Sequence, residues 1–477
     1  IMSVLNIEKA HQAYFEAISK IPHGSTSEKA LSDYLVNFAK QHHLDYVQDE
    51  LYNVVIFKEA SKGYETHLPV MLQAHIDMVC EKNQDVDFDF EKDALSLYIE
   101  HGFLKAKGTT LGADDGAGVA YMMAILASQE VASPALECVF TTQEEIGMFG
   151  AIALDKSILK ARQLINLDGG GEIQTLVSSS GGNLCHLTYE GKLVKNFQPV
   201  WQLFVRGLLG GHSGGEIDKE RGNANKCLIR ILYHLMKQGE VALVEFSGGL
   251  KDNAIPREAS VKFTTNLTQV ELEQYINQYQ KDIEVELASS DAGIKFDLEK
   301  VPTVDFSLSS EDSDKIIKAL YLLPNGMRQR NLALNLVVTS LNLGVVTLKN
   351  GKLSGAIALR SAMDGALNEM MEEIQLITSL FDMKAEFSAY YPGWAYVEDS
   401  PLREKLKAVF KQMYQQELKL EAVHGGCECG LFKAMDEKMD IVTIGPITND
   451  IHTPQEAMNL ESFDRTYDLL CAFLKGL

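Results

Sequence analysis

Over the first 180 residues, short apolar runs alternate with stretches of helical spacing. Residues 4–20 and 27–42 carry apolar side chains three and four apart and read as amphipathic helices. Ser25, Thr26 and Ser27 offer N-caps ahead of the second, with Glu28 nearby. The runs LYNVVIFKEA (51–60) and LPVMLQA (68–74) read as strands, and GAGVAYMMAILASQ (116–129) reads as a helix opening on glycines. ALECVFTTQ (135–143) and RQLINLD (162–168) contain few charges and read as buried strands. This alternation predicts an α/β layer built on a mixed, largely parallel sheet.

The pattern changes after about residue 180. SSSGGN (178–183) reads as a flexible polar joint. CHLTYEGKLV, VWQLFVRGL and EASVKFTTNL then show the two-residue alternation of strands. Residues 224–239 form an amphipathic helix whose Leu228, Ile231, Leu232 and Leu235 share one stripe. These pieces predict an α+β insert. A second shift falls in AYYPGWAYVEDSPL (389–402), followed by a helix over 400–416 and a strand over 439–445. The expected organisation is one interrupted α/β domain, residues 1–182 and 396–477, with an inserted domain over 183–395.

Composition narrows the partners. The 477 residues are 46% hydrophobic, enough to bury sizeable cores, and the net charge is −22. Such an acidic chain lacks the clustered cations that nucleic acid or anionic membrane surfaces demand. No stretch approaches the ~20 apolar residues of a membrane span. The first twenty residues carry acidic side chains at helical spacing, unlike a basic-then-apolar signal. Seven scattered cysteines make no disulfide framework and read as small buried residues of a cytoplasmic protein.

Candidate chemistry gathers where the predicted strands end, the place at which open parallel sheets bind ligands. His75 and Asp77 follow 68–74. Glu144 and Glu145 follow 135–143. Asp168 closes 162–168 ahead of three glycines. His452 lies in the loop after 439–445, and GADDGAG brings Asp114 and Asp115 to a helix start. Each cluster alone is an ordinary surface or turn feature; together they converge on one rim. Two imidazoles with carboxylates and no thiolate suit Zn²⁺, Mn²⁺ or Co²⁺. Five candidate ligands exceed one tetrahedral catalytic site and fit two ions sharing a carboxylate.

In this order, His-x-Asp, Gly-x-Asp-Asp-x-x-Gly, Thr-x-Glu-Glu, Asp-Gly and a late His resemble the dinuclear-zinc metallopeptidases, which include carboxypeptidase G and the aminoacylases. QAHIDMVCEK, GTTLGADDGAG, TTQEEIGMFGA, NLDGGGE, GHSGGEI and HGGCECG resemble their aminoacyl-histidine (Xaa-His) dipeptidase branch. The resemblance implies a zinc-peptidase-like catalytic domain interrupted by an α+β lid and dimerisation domain. It implies one metal on His75 and Asp168, another on Glu145 and His452, and Asp114 bridging them, with a cis peptide before Asp115. Asp77 would orient His75, and Glu144 would be the general base that takes the proton of a metal-bridging water. His212 in GLLGGHSGGEI would reach the partner's site and polarise the substrate carbonyl, with Asn253 as a second donor. Arg360 would clamp the substrate carboxylate, aided by the backbone of Gly425 and Gly426; His424 receives no role. The implied protein is a cytoplasmic homodimer that cleaves dipeptides with a C-terminal histidine, such as β-alanyl-histidine. The alternatives are an aminoacylase or another short-peptide exopeptidase on the same scaffold, or a non-catalytic binding relative.

Overall fold

The structure, a computed structural model, describes residues 3–477. The chain packs as two units. The first comprises residues up to Ser178 together with Tyr396–Glu421 and Cys427–Leu477; the second comprises Ser179–Ala395 and Ala422–Gly426. The stretch 422–426 therefore packs with the second unit, whereas the sequence reading places all of 396–477 in the first.

In the first unit the central strand Val70–His75 pairs in parallel with Leu136–Thr141 on one side and Gln163–Asn166 on the other. Asp440–Thr443 extends the parallel part, while Val54–Lys58 and Asp45–Gln48 add an antiparallel edge. Every residue of Val70–His75 and Leu136–Thr141 is buried. A strand covered on both faces has no polar side to show, which is why these two read as continuous apolar runs. Helices Ala10–Ile18, Ala113–Ala127 and Leu460–Gly476 meet around Tyr121. Its ring stacks on Phe463 at 4.9 Å and its hydroxyl donates to the Phe463 carbonyl at 2.8 Å. A buried phenol placed this way keeps its hydrogen bond as well as its apolar contact.

Several boundaries differ from the sequence reading. The first helix starts at Ala10, not near residue 4, because the Glu16 carboxylate takes the N–H groups of Val4 (3.0 Å) and Leu5 (2.9 Å) and folds that segment back. The second starts at Lys29 without a side-chain cap. Thr26 sits at φ 73°, and Ser25 donates its hydroxyl to Asp77 Oδ2 at 2.7 Å. The cap-like serine thus serves a distant carboxylate. The hairpin Leu97–Glu100 with Phe103–Ala106 went unread; it turns through His101 and Gly102, both at positive φ, as a two-residue hairpin turn requires.

The second unit is an antiparallel sheet. It runs in the order Lys295–Val301, Val200–Arg206, Ala259–Thr265, Val241–Gly248, Leu336–Lys349, Lys352–Ser361, Gly181–Glu190 and Lys384–Tyr391. Helix Ala224–Leu235 lays Leu228, Ile231, Leu232 and Leu235 into its core, all buried. The expected flexible joint at 178–183 is extended backbone instead. A Cβ on Gly181 would lie 2.5 Å from the Gly393 nitrogen, and one on Gly182 would lie 2.4 Å from the Tyr391 hydroxyl. These glycines serve close packing within a sheet, not mobility. All seven cysteines are free; Cys80 is exposed and Cys227 and Cys471 are half-buried, so only Cys138, Cys185, Cys427 and Cys429 fit the buried reading. Among the described residues no helix is long and apolar enough to cross a membrane.

The turn after Asp440–Thr443 presses on the turn that carries Asp168. A Cβ on Gly445 would fall 1.7 Å from the Gly169 carbonyl oxygen. Gly445→Ala is expected to cost about 1–3 kcal/mol by overpacking, read as a lowered denaturant midpoint. An unchanged midpoint would show that the two turns do not touch.

Candidate metal centre

The register of the parallel strands sets the site. His75, the last residue of its strand, stands opposite Thr141, and Gln73 stands opposite Asn166. Glu144 and Glu145 follow just beyond Thr141, and Asp168 lies two residues beyond Asn166. The side chains therefore emerge along one carboxyl edge.

Three buried or half-buried side chains fix the turn at 142–145. Asn53 Oδ1 accepts from Thr142 N (3.0 Å), and Glu28 Oε1 accepts from Gln143 N (3.1 Å). Asp77 accepts from Glu144 N (3.0 Å) and Glu145 N (3.3 Å) through its two oxygens. Asp77 also approaches His75. The nearer contact is its backbone carbonyl, 3.0 Å from His75 Nδ1, with carboxylate Oδ1 at 3.3 Å. Asp77 thus grips the imidazole and the two-glutamate turn together.

That contact defines the ring. A carbonyl facing Nδ1 requires a proton there, so a neutral His75 presents its Nε2 lone pair. Nε2 lies 3.0 Å from Asp114 Oδ1. His452 Nε2 lies 3.2 Å from Asp114 Oδ2 and 2.9 Å from Glu145 Oε1. The two oxygens of Asp114 therefore face two imidazoles drawn from opposite ends of the chain. A lone pair against a carboxylate oxygen is repulsive unless a proton or a cation lies between them. Ligand atoms of His75, Asp114 and Glu145 fall within 4.8 Å of one another, as do those of His75, Asp115 and Asp168. The peptide joining Asp114 to Asp115 is cis, and both residues depart from helical geometry at the start of Ala113–Ala127.

The electrostatics of the edge favour positive charge among these groups. Burial and the neighbouring carboxylates push Asp115 and Asp168 well above the usual carboxylate range. Burial also works to raise Asp114, but hydrogen bonds to His452 and His75 draw it below that range. Those same bonds to Asp114 and Glu145 push His452 up to about 10. Glu144 is pushed up to about 7, by burial first and then by Glu145, Asp114 and Asp77 against the opposing His75. One buried oxygen, Asp115 Oδ2, has no hydrogen-bond partner among the described residues. Crowded carboxylates with an unpartnered oxygen and inward imidazoles fit divalent cations.

The sequence reading missed what lies beneath. Glu428, fully buried, accepts from Gln73 Nε2 (2.5 Å) and Thr141 Oγ1 (2.9 Å). Gln73 Oε1 accepts from Asn166 Nδ2 (2.6 Å), and Asn166 Oδ1 accepts from Asp168 N (3.2 Å). One network therefore ties together the three strand ends that bear the candidate ligands. A buried Gln and Asn in otherwise apolar strands, and an acid between two cysteines, were the available signals.

His212, Asn253, Arg360, Gly425 and Gly426 all lie in the second unit. His212 is in a short strand whose partner is Ala254–Ile255, and Ser213 N donates to Asn253 O at 2.9 Å, so His212 and Asn253 are neighbours. Gly214 N and Gly215 N donate to His212 Nδ1 at 3.2 and 3.0 Å, which leaves the proton of a neutral ring on Nε2. Arg360 donates to the Tyr391 hydroxyl at 3.3 Å, and its buried Nε has no partner among the described residues. His424, unassigned from sequence, is buried and hydrogen-bonded to Ser340 Oγ at 2.7 Å. Burial, then Arg360 and His212, push it down to about 3, which keeps the ring neutral. A Cβ on Gly425 would meet only Val423 at 3.6 Å, so the chain itself does not require glycine there.

The model of peptidase family M20/M25/M40 matches residues 71–476. The chain is 36% identical over 470 residues to the cytosol non-specific dipeptidase of Escherichia coli K12, covering 97% of this chain and 96% of that one. It superposes on the crystal structure of aminoacylhistidine dipeptidase from Vibrio alginolyticus with a TM-score of 0.94 and 35% identity, covering 98% and 96% of the two chains. Aminopeptidase PepT from Bacillus cereus shares the fold at a TM-score of 0.58 and 15% identity, with 99% of each chain covered.

Asp77→Ala removes the acceptor of the Glu144 and Glu145 amides and of Ser25. Metal affinity is expected to fall about 10–100-fold, as for other groups that orient ligands, in competition against a chromophoric chelator. Unchanged affinity would remove Asp77 from the support of the site.

Proposed function

The chain belongs to peptidase family M20/M25/M40 and is a peptide-bond hydrolase, and on that premise we propose that it is a dipeptidase working with two divalent metal ions. The observation that carries this reading is the Asp114 carboxylate with one oxygen facing His75 and the other facing His452. We assign one ion to His75 and Asp168, the other to Glu145 and His452, and Asp114 to both. The donor set suits Zn²⁺, with Mn²⁺ or Co²⁺ able to take its place.

Bound there, the ions would supply positive charge that lowers the pKa of water towards neutrality and polarises an amide carbonyl. Glu144 takes a proton from the attacking water on a carboxylate oxygen and delivers it to the leaving amine nitrogen. Its neighbour Glu145 is committed to His452, so the adjacent acids divide the work. Asp77 holds His75 and the Glu144–Glu145 amides in place.

For the second unit the assignments follow the family resemblance. His212, its proton set on Nε2, donates to the substrate carbonyl oxygen, with Asn253 beside it as a second donor. Arg360 and the amides of Gly425 and Gly426 hold the substrate's terminal carboxylate. This unit acts as lid and dimerisation domain of a homodimer. The substrates are dipeptides, those ending in histidine among them. The Vibrio relative's name supports that class, and the Escherichia coli relative's name supports a broader range and a cytoplasmic location.

A hydrolysis panel tests the reading. β-Alanyl-histidine and other dipeptides are expected to be cleaved, with tripeptides and N-acetyl amino acids far slower. A chelator is expected to abolish cleavage, and Zn²⁺, Mn²⁺ or Co²⁺ to restore it. Faster turnover of N-acetyl amino acids would make the protein an aminoacylase instead, and indifference to chelation would remove the metals. Glu144→Gln should keep its metal and lose about 10²-fold or more of kcat through lost proton transfer; a kcat near wild type would discard Glu144 as the base.

A further inference from the structure

Four residues beyond His452 the chain carries Glu456, only 3% exposed. Its Oε2 accepts from Leu111 N (2.8 Å) and Gly112 N (3.1 Å), and its Oε1 from Ala113 N (2.9 Å) and Asp114 N (3.5 Å). These four successive amides lead into helix Ala113–Ala127. Amides at a helix start have no partner within the helix, and the helix dipole favours negative charge there. A buried carboxylate meets both needs, and this one comes from a segment more than 340 positions away.

The loop that Glu456 belongs to needs such an anchor. The His452 side chain is 43% exposed, and Asp450 and His452 both sit at positive φ. Inside the loop, Thr453 Oγ1 donates to Asp450 O (2.7 Å), Gln455 N donates to Thr453 Oγ1 (3.2 Å) and Glu456 N donates to Thr453 O (3.1 Å). The loop ends, Thr448–Asn449 and Ala457–Asn459, pair with each other and with Phe103–Ala106, and within the loop itself Glu456 makes the bonds to the Asp114 segment. His75 differs: it is 1% exposed, ends the central strand and is held by Asp77. The two imidazoles that face Asp114 therefore have separate supports.

We propose that Glu456 is a positioning residue that fastens the His452 loop to the Asp114 segment and so sets the affinity of the Glu145–His452 half of the metal centre independently of the His75–Asp168 half. The proposal rests on the two-metal reading above. Its physical core is that one carboxylate supplies two acceptor oxygens to four amides. Glu456→Gln keeps the shape but turns an NH₂ towards two of those donors, which then lose their acceptor.

The test is titration of the metal-free full chain with Zn²⁺ against a chromophoric chelator, for wild type, Glu456→Gln and His452→Ala, with Co²⁺ absorption spectra of each. Wild type is expected to take up two ions. Glu456→Gln is expected to keep one ion at wild-type affinity and to bind the second about tenfold or more weakly, losing the same Co²⁺ band that His452→Ala loses. Two ions at wild-type affinity, or equal weakening of both, overturns the proposal. Should Glu456→Gln fail to fold, Glu456→Asp, which keeps the charge on a side chain one methylene shorter, is read by the same criterion. A wild-type chain that takes up fewer than two ions contradicts the two-metal reading itself, and this proposal with it.

Discussion

The organisation of the first unit depends on one carboxylate placed between two imidazoles. Asp114 directs Oδ1 to His75 and Oδ2 to His452. Each contact sets a ring nitrogen against an anionic oxygen, which holds only with a proton or a cation in between. Asp115, Asp168, Glu144 and Glu145 crowd further carboxyl groups onto the same edge, and burial with mutual repulsion disfavours the charged forms of Asp115, Asp168 and Glu144. Folding brings these groups together at an electrostatic cost that buried anions cannot relieve alone. Divalent cations would relieve it.

The support is correspondingly rigid. The ligand-bearing strand ends are cross-linked below by Gln73, Asn166, Thr141 and Glu428. The glutamate turn is held by Asn53, Glu28 and Asp77. Most of these partners are buried side chains on regular elements, so the candidate ligands inherit the precision of the sheet. His452 stands apart, on an exposed loop between the short paired strands Thr448–Asn449 and Ala457–Asn459, tied to the Asp114 segment by the buried Glu456.

The fold and the candidate site were unevenly legible in the sequence. The buried parallel strands announced themselves as charge-poor apolar runs, because burial on both faces leaves no alternation to misread. His75, Asp168 and Glu144–Glu145 were visible for the same reason: polar residues placed just after such runs fall at the carboxyl edge. Interactions between distant segments were not. Ser25 has the local look of a helix cap, yet its hydroxyl belongs to Asp77. Glu456 carries no motif, and Glu428 stands in HGGCECG without any local sign of its role, since both roles are defined by amides and amide side chains hundreds of positions away. Glycines misled in the other direction. At 181 and 182 they read as flexibility, while the structure uses them to let Tyr391 and Gly393 pack close.

On the proposed reading His75, Asp114, Glu145, Asp168 and His452 surround two cations. Anomalous diffraction at the zinc edge, from crystals of the metal-loaded protein, addresses it most directly. Two peaks are expected, one against His75 and Asp168, the other against Glu145 and His452, with Asp114 touching both. No peak there, or a single ion held away from Asp114, would contradict the account.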